Sequence, residues 1–178
     1  MIRTNLKYLT ISFELAALLL VGCGGSSDDD AIRGAIVTDV RVDPDSVRLG
    51  DDIKIQVDFN PTEFLGSSTS SSSIEASTVV VRLPPGVDYV TGSSQFDGSD
   101  VGGFRDRGPN HVELCEDGTR VLTYQFTSGE QTDNENKIKL VARAYEGSGT
   151  VYFDAEANDD IFDSCRIRGD DYDTLEIF

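Results

Sequence analysis

The sequence predicts an all-β fold, an antiparallel sandwich, and three observations carry that prediction. Beyond residue 34, apolar residues recur at every second position over short runs. Clusters of Gly, Asp, Asn and Ser separate those runs at turn spacing. No segment of that region carries an apolar stripe at helical period.

Ile53, Ile55, Val57 and Phe59 alternate with Lys54, Gln56 and Asp58, the pattern of a half-buried strand. Val79, Val81 and Leu83 form the next run, which Pro84-Pro85-Gly86 ends. Leu122, Tyr124 and Phe126 share one face of a third, and Ile138, Leu140, Ala142 and Ala144 one face of a fourth. Val151, Phe153, Ala155 and Ala157 alternate with Tyr152, Asp154 and Glu156, and Leu175 with Ile177 closes the chain. Six to nine such strands predict a sandwich of immunoglobulin-like (Ig-like) type over residues 35–178. Gly66 to Ser73 is almost all serine and is expected to be a loop within that domain.

The first thirty residues follow a different logic. Arg3 and Lys7 precede an apolar stretch that runs to Val21, shorter than the roughly 20 apolar residues a bilayer span requires. Glu14 lies toward the charged end and leaves Leu15 to Val21 as the apolar core. The stretch ends Leu20-Val21-Gly22-Cys23, which resembles the lipobox of bacterial lipoproteins. The resemblance implies a signal peptide over 1–22, cleavage before Cys23 and diacylation of the Cys23 thiol. Two or more acyl chains hold a protein stably at a membrane where one does so only marginally. Residues 23–34, with Gly24-Gly25-Ser26-Ser27 and Asp28-Asp29-Asp30, are expected to be a flexible acidic tether. Gly rather than Asp at position 24 favours, by the same resemblance, the outer over the inner membrane of the cell envelope.

The chain carries 15 basic and 32 acidic residues, a formal net charge of −17. Loss of Arg3, Lys7 and Glu14 with the signal leaves 13 basic and 31 acidic residues and a charge of −18. Such a chain repels nucleic acid and anionic lipid, and it suits cation binding or a basic partner. Beyond Cys23 there are two cysteines, Cys115 and Cys165, and export places them where an even pair forms a disulfide. On the loop-entropy account that bridge contributes roughly 4 kcal/mol.

Two further stretches carry a resemblance. Val42-Asp43-Pro44-Asp45-Ser46-Val47-Arg48-Leu49-Gly50-Asp51-Asp52-Ile53 resembles the opening of bacterial Ig-like surface modules, with a proline bend and a Gly-Asp turn between the first strands. Val80-Val81-Arg82-Leu83-Pro84-Pro85-Gly86-Val87-Asp88-Tyr89-Val90 resembles the Leu-Pro-x-Gly-Val segment of conserved-repeat Ig-like domains in bacterial envelope proteins. The resemblance implies an interaction or structural module rather than an enzyme.

The residue inventory points the same way. His111 is the only histidine, and no GxSxG or HExxH pattern accompanies it. No catalytic residues are therefore expected. Carboxylates are so abundant that a pair at glycosidase separation would occur by chance, and there is no tryptophan to serve as a sugar platform. Ca²⁺ takes six to eight oxygen ligands grouped in loops. Asn158, Asp159, Asp160 and Asp163, followed by Asp170, Asp171 and Asp173, make the candidate calcium set, without EF-hand spacing. The expectation is thus a membrane-anchored envelope lipoprotein that contacts a protein or glycan partner. The alternative is a module that binds calcium or a glycan in loops 158–173 or 97–110.

Overall fold

A computed structural model describes residues 35–61, 76–98, 103–132, 135–157, 165 and 169–178. The expected signal over 1–22, the expected tether over 23–34 with Cys23, the serine-rich segment and Asn158, Asp159, Asp160 and Asp163 lie outside the described residues.

The alternating runs form strands with their apolar sides facing one another across two sheets. In the first sheet β1 (Ala35–Asp43) pairs with β3 (Asp52–Pro61), and β3 with β10 (Asn136–Ala144). The far side of β10 pairs with β5 (Val87–Tyr89) and with β6 (Gln95–Asp97), which carries β7 (Arg105–Asp106). In the second sheet the order is β2 (Ser46–Val47), β12 (Asp171–Ile177), β11 (Gly149–Ala157), β4 (Ser77–Leu83), β9 (Arg120–Phe126) and β8 (His111–Leu114). Every pairing is antiparallel except β2 with β12. The chain switches sheets repeatedly, between β1 and β2, β2 and β3, β3 and β4, β4 and β5, β7 and β8, β9 and β10, and β10 and β11. Among the described residues the only helical element is one 3-10 turn, Ser128–Glu130. The protein has an Ig-like β-sandwich fold, as its alternation predicts.

Each predicted stripe is buried: Ile53, Ile55, Val57 and Phe59 from β3 meet Leu122, Tyr124 and Phe126 from β9 and Phe153 from β11 in one core. Phe126 is its centre, with ring centroids 4.2 Å from Phe96, 5.4 Å from Phe59 and 6.3 Å from Tyr124. The Tyr124 hydroxyl, deep in this core, is satisfied by Ser94 Oγ at 2.9 Å. Burial pushes its pKa far up, so it stays a neutral hydrogen-bonding group.

The structure departs from the alternation at β4. Val79, Val81 and Leu83 face the core as expected, yet Val80 and Arg82 on the opposite side are also buried. Val80 and Val121 pack there with Cys115 and Cys165, which are joined by a disulfide with Cα atoms 5.8 Å apart. Polar-face residues are covered because the bridge pins Cys165 over the back of the sheet. A period-2 reading registers one buried face and cannot register a second one built from a distant segment.

Candidate functional site

The outer face of the second sheet holds the most site-like arrangement among the described residues. On β11, Phe153 and Ala155 point into the core, so Thr150, Tyr152, Asp154 and Glu156 point outward. On β12, Leu175 and Ile177 point inward and Tyr172, Thr174 and Glu176 outward. Register sets Tyr152 opposite Thr174 and Asp154 opposite Tyr172, so the two tyrosines are diagonal neighbours. Their ring centroids are 6.0 Å apart at an interplanar angle of 54°. They are 60 % and 62 % exposed, and each leaves most of its ring in solvent.

These rings flank a concavity of about 570 Å³ lined by Tyr152, Asp154, Gly169, Asp170 and Tyr172. Its floor is held rigidly. Arg82, only 4 % exposed, donates to Asp154 Oδ1 at 2.8 Å and to Glu156 Oε2 at 3.0 Å. A buried guanidinium with two carboxylates is a high-cost group unless fully paired, so the triad fixes the Asp154 side chain in place. Gly169 passes so close to β11 that a Cβ there would lie 2.5 Å from the Ala155 carbonyl oxygen, which only glycine permits. The disulfide at Cys165 holds the chain just before this contact against the sheet.

Of the seven candidate calcium ligands, three are described, and the fold gives them other work. Asp171 and Asp173 share the inward parity of Leu175 and Ile177, at the end of β12 that β2 does not cover. There they reach across to β1, the outermost strand of the other sheet. Val40 N–H donates to Asp171 Oδ2 at 2.9 Å, and Val42 N–H to Asp173 Oδ2 at 2.7 Å. Asp170 Oδ2 accepts from Ala157 N–H at 3.2 Å and from Val37 N–H at 3.4 Å. The three-residue step from Val37 to Val40 reflects the bulge between Val37 and Asp39. These carboxylates close one side of the sandwich by satisfying edge N–H groups that would otherwise lack partners. Among the described residues, no group of three or more His, Cys, Asp or Glu side chains is placed to hold a metal ion.

The sequence signal for this role was present in the spacing. Asp171-x-Asp173 continues the inward stripe of β12, and a carboxylate on an inward position needs a donor. The tyrosine cleft had a weaker signal, since Tyr152 appears only as an outward residue of an alternating strand. His111 opens β8, exposed and opposite Thr123. In the described part of loop 97–110, β7 pairs within the first sheet while Arg107 and Asn110 bond to Gln125 and Thr123 of the second sheet, to which 171–173 belongs.

No protein-family model and no curated sequence matches this chain. Solved structures similar to it include the collagen-binding domain of Erysipelothrix rhusiopathiae surface protein RspB, at 10% identity and TM-score 0.45 over 70% of this chain and 41% of that one. The N-terminal domain of the Streptococcus gordonii adhesin Sgo0707 gives 12% identity and TM-score 0.47 over 81% of this chain and 31% of that one. The group B streptococcus pilus 2b backbone protein gives 12% and 0.45 over 78% and 56%. The chain spans less than two thirds of each of these three. The likeness is one of β-architecture.

Proposed function

We propose that this chain is a lipid-anchored envelope lipoprotein whose β-sandwich is an interaction module, and that its partner is a protein presenting a basic side chain to the Tyr152–Tyr172 cleft. The observation that carries the reading is the exposed tyrosine pair bordering a concavity with two carboxylates, Asp154 and Asp170, in its lining. Large aromatic side chains left in solvent are costly to a monomer and supply contact area at low entropic cost to an interface. The rings stand at 54° to each other, an open wedge rather than a flat platform. A guanidinium or ammonium entering that wedge meets two ring faces and lies near Asp154 and Asp170. The net charge of −17 steers a basic partner toward the domain from a distance.

The anchor rests on the Leu20–Cys23 motif and its flanks. The residues after Cys23, Gly24-Gly25-Ser26-Ser27 and Asp28-Asp29-Asp30, have the composition of a linker between an anchor and a domain.

Capture from detergent-solubilised envelopes tests both halves. The lipidated protein is expected to retain a basic protein that the Tyr152→Ala/Tyr172→Ala variant loses while melting at the same temperature. An unchanged set of captured proteins would overturn the cleft as the contact site. Cys23→Ser is expected to abolish acyl labelling and membrane fractionation, and a variant that still sediments with membranes would remove the anchor from the proposal.

A further inference from the structure

The first sheet carries a separate groove on its outer face, where Arg41, Lys54 and Lys139 stand beside Asp43, Gln56 and Gln95. After the signal, the chain has three lysines, Lys54, Lys137 and Lys139. All three point outward from adjacent strands β3 and β10, because Ile53, Ile55, Ile138 and Leu140 take the inward positions. Register aligns Arg41, Gln56, Lys139 and Gln95 in one row across β1, β3, β10 and β6, with Asp43 and Lys54 in the next. A concavity of about 420 Å³ lies over these rows, within the range of small-ligand sites.

The cations of this groove are not equivalent. Arg41 is closed by its own sheet, since Nε pairs with Asp39 and Nη2 lies 3.0 Å from Asp58 Oδ2. Lys137 pairs with Glu135 at 2.7 Å and lies 4.0 Å from Asp58. Lys54 has only a 4.0 Å contact with Asp43, and both side chains are about three-quarters exposed. Among the described residues, Lys139 has no carboxylate within 4.0 Å; its ammonium instead sits 4.0 Å over the ring of Phe104, which is itself part-exposed. Among the described residues, Lys139 thus faces the groove without a carboxylate and Lys54 with only the long contact to Asp43, which also lines it, in a chain that is otherwise strongly acidic.

We infer that this groove binds an acidic saccharide, with a sugar carboxylate between Lys54 and Lys139 and sugar hydroxyls on the amides of Gln56 and Gln95. Each part of that ligand matches something in place. Gln56 is oriented by donating to Asp58 Oδ1 at 2.8 Å, which leaves its amide oxygen as an acceptor. Gln95 is held more loosely, donating to Asp106 Oδ1 at 3.4 Å. Phe104 lies beside the groove and holds the Lys139 ammonium over its ring. Phosphate is the poorer fit, because the guanidinium fork that recognises it bidentately is already occupied by Asp39 and Asp58. The groove lies on the opposite sheet from the tyrosine cleft, so the two occupancies are independent.

Calorimetric titration of the folded domain with digalacturonate and with sialyllactose tests the inference. At least one acidic sugar is expected to bind, and Lys54→Ala/Lys139→Ala should weaken it about ten-fold, the loss expected for two exposed ion pairs. The variant should melt with the wild type, both lysines being solvent-facing. Lactose should bind at least about ten-fold more weakly than its sialylated form. Absence of binding by either acidic sugar, equal affinity in the lysine variant, or competition by inorganic phosphate at the same concentration as the sugar would each overturn it. Tyr152→Ala/Tyr172→Ala should leave this titration unchanged, which separates the result from the fate of the cleft.

Discussion

Replacing Asp171 and Asp173 by alanine tests the account of how the sandwich closes. Each carboxylate receives a backbone N–H of β1, Val40 at 2.9 Å and Val42 at 2.7 Å, and both valines are almost fully buried. A hydrogen bond to a charged group contributes about 1.5–3 kcal/mol, and the partial exposure of both aspartates places these at the low end. Alanine also leaves each N–H facing the other sheet without an acceptor, so about 1.5 kcal/mol per site is the working figure. The double variant should therefore lose about 3 kcal/mol, a fall in melting temperature of roughly 6–12 °C for a domain of this size. Asp171→Asn/Asp173→Asn keeps an acceptor oxygen at each position and should lose less than half as much. Thermal melts followed by circular dichroism, with and without millimolar Ca²⁺, supply the measurement. A fall of less than about 2 °C for the alanine pair would refute the reasoning. So would a wild-type stabilisation by Ca²⁺ that the variants lack, since it would make these carboxylates metal ligands instead of edge acceptors.

Two other predictions follow from the fold. Cys115→Ala/Cys165→Ala opens a link of sequence separation 50 and should lower stability by roughly 4 kcal/mol, with a melting shift of about 10 °C that reductant reproduces in the wild type; a shift below about 3 °C would contradict the loop-entropy estimate. Asp58 is 1 % exposed, and burial pushes its carboxyl pKa up despite the Gln56 hydrogen bond and the charges of Lys137 and Arg41, with Glu135 adding to the rise. The folded state thus holds that proton more tightly than the unfolded chain does, so this group's contribution to stability falls as pH rises through the window just above ordinary carboxylate values. Subtracting the Asp58→Asn melting curve from the wild-type curve between about pH 4 and pH 7 isolates it, and a difference that grows with pH would have the wrong sign.

The sequence by itself determined six of the strands, β3, β4, β9, β10, β11 and β12, and the core-facing side of each. Ile53 to Phe59, Leu122 to Phe126 and Val151 to Ala157 repeat every two residues, the period of the backbone pleat, so local chemistry suffices to read them. It also determined that Cys115 and Cys165 pair, because two thiols expected in an oxidising compartment have few alternatives. Tertiary structure decided which partners the acidic residues near the C-terminus meet. Asp170, Asp171 and Asp173 read in the sequence as candidate cation ligands, and only the fold brings N–H groups of β1, more than 130 residues away in sequence, against them. The same holds for the two candidate sites. Tyr152 and Tyr172 become neighbours only through the β11–β12 register, and Lys54 and Lys139 only through that of β3 with β10. Periodicity fixes which way a side chain points, whereas the neighbour it meets is set by strand order and register, which depend on the packing of the whole core.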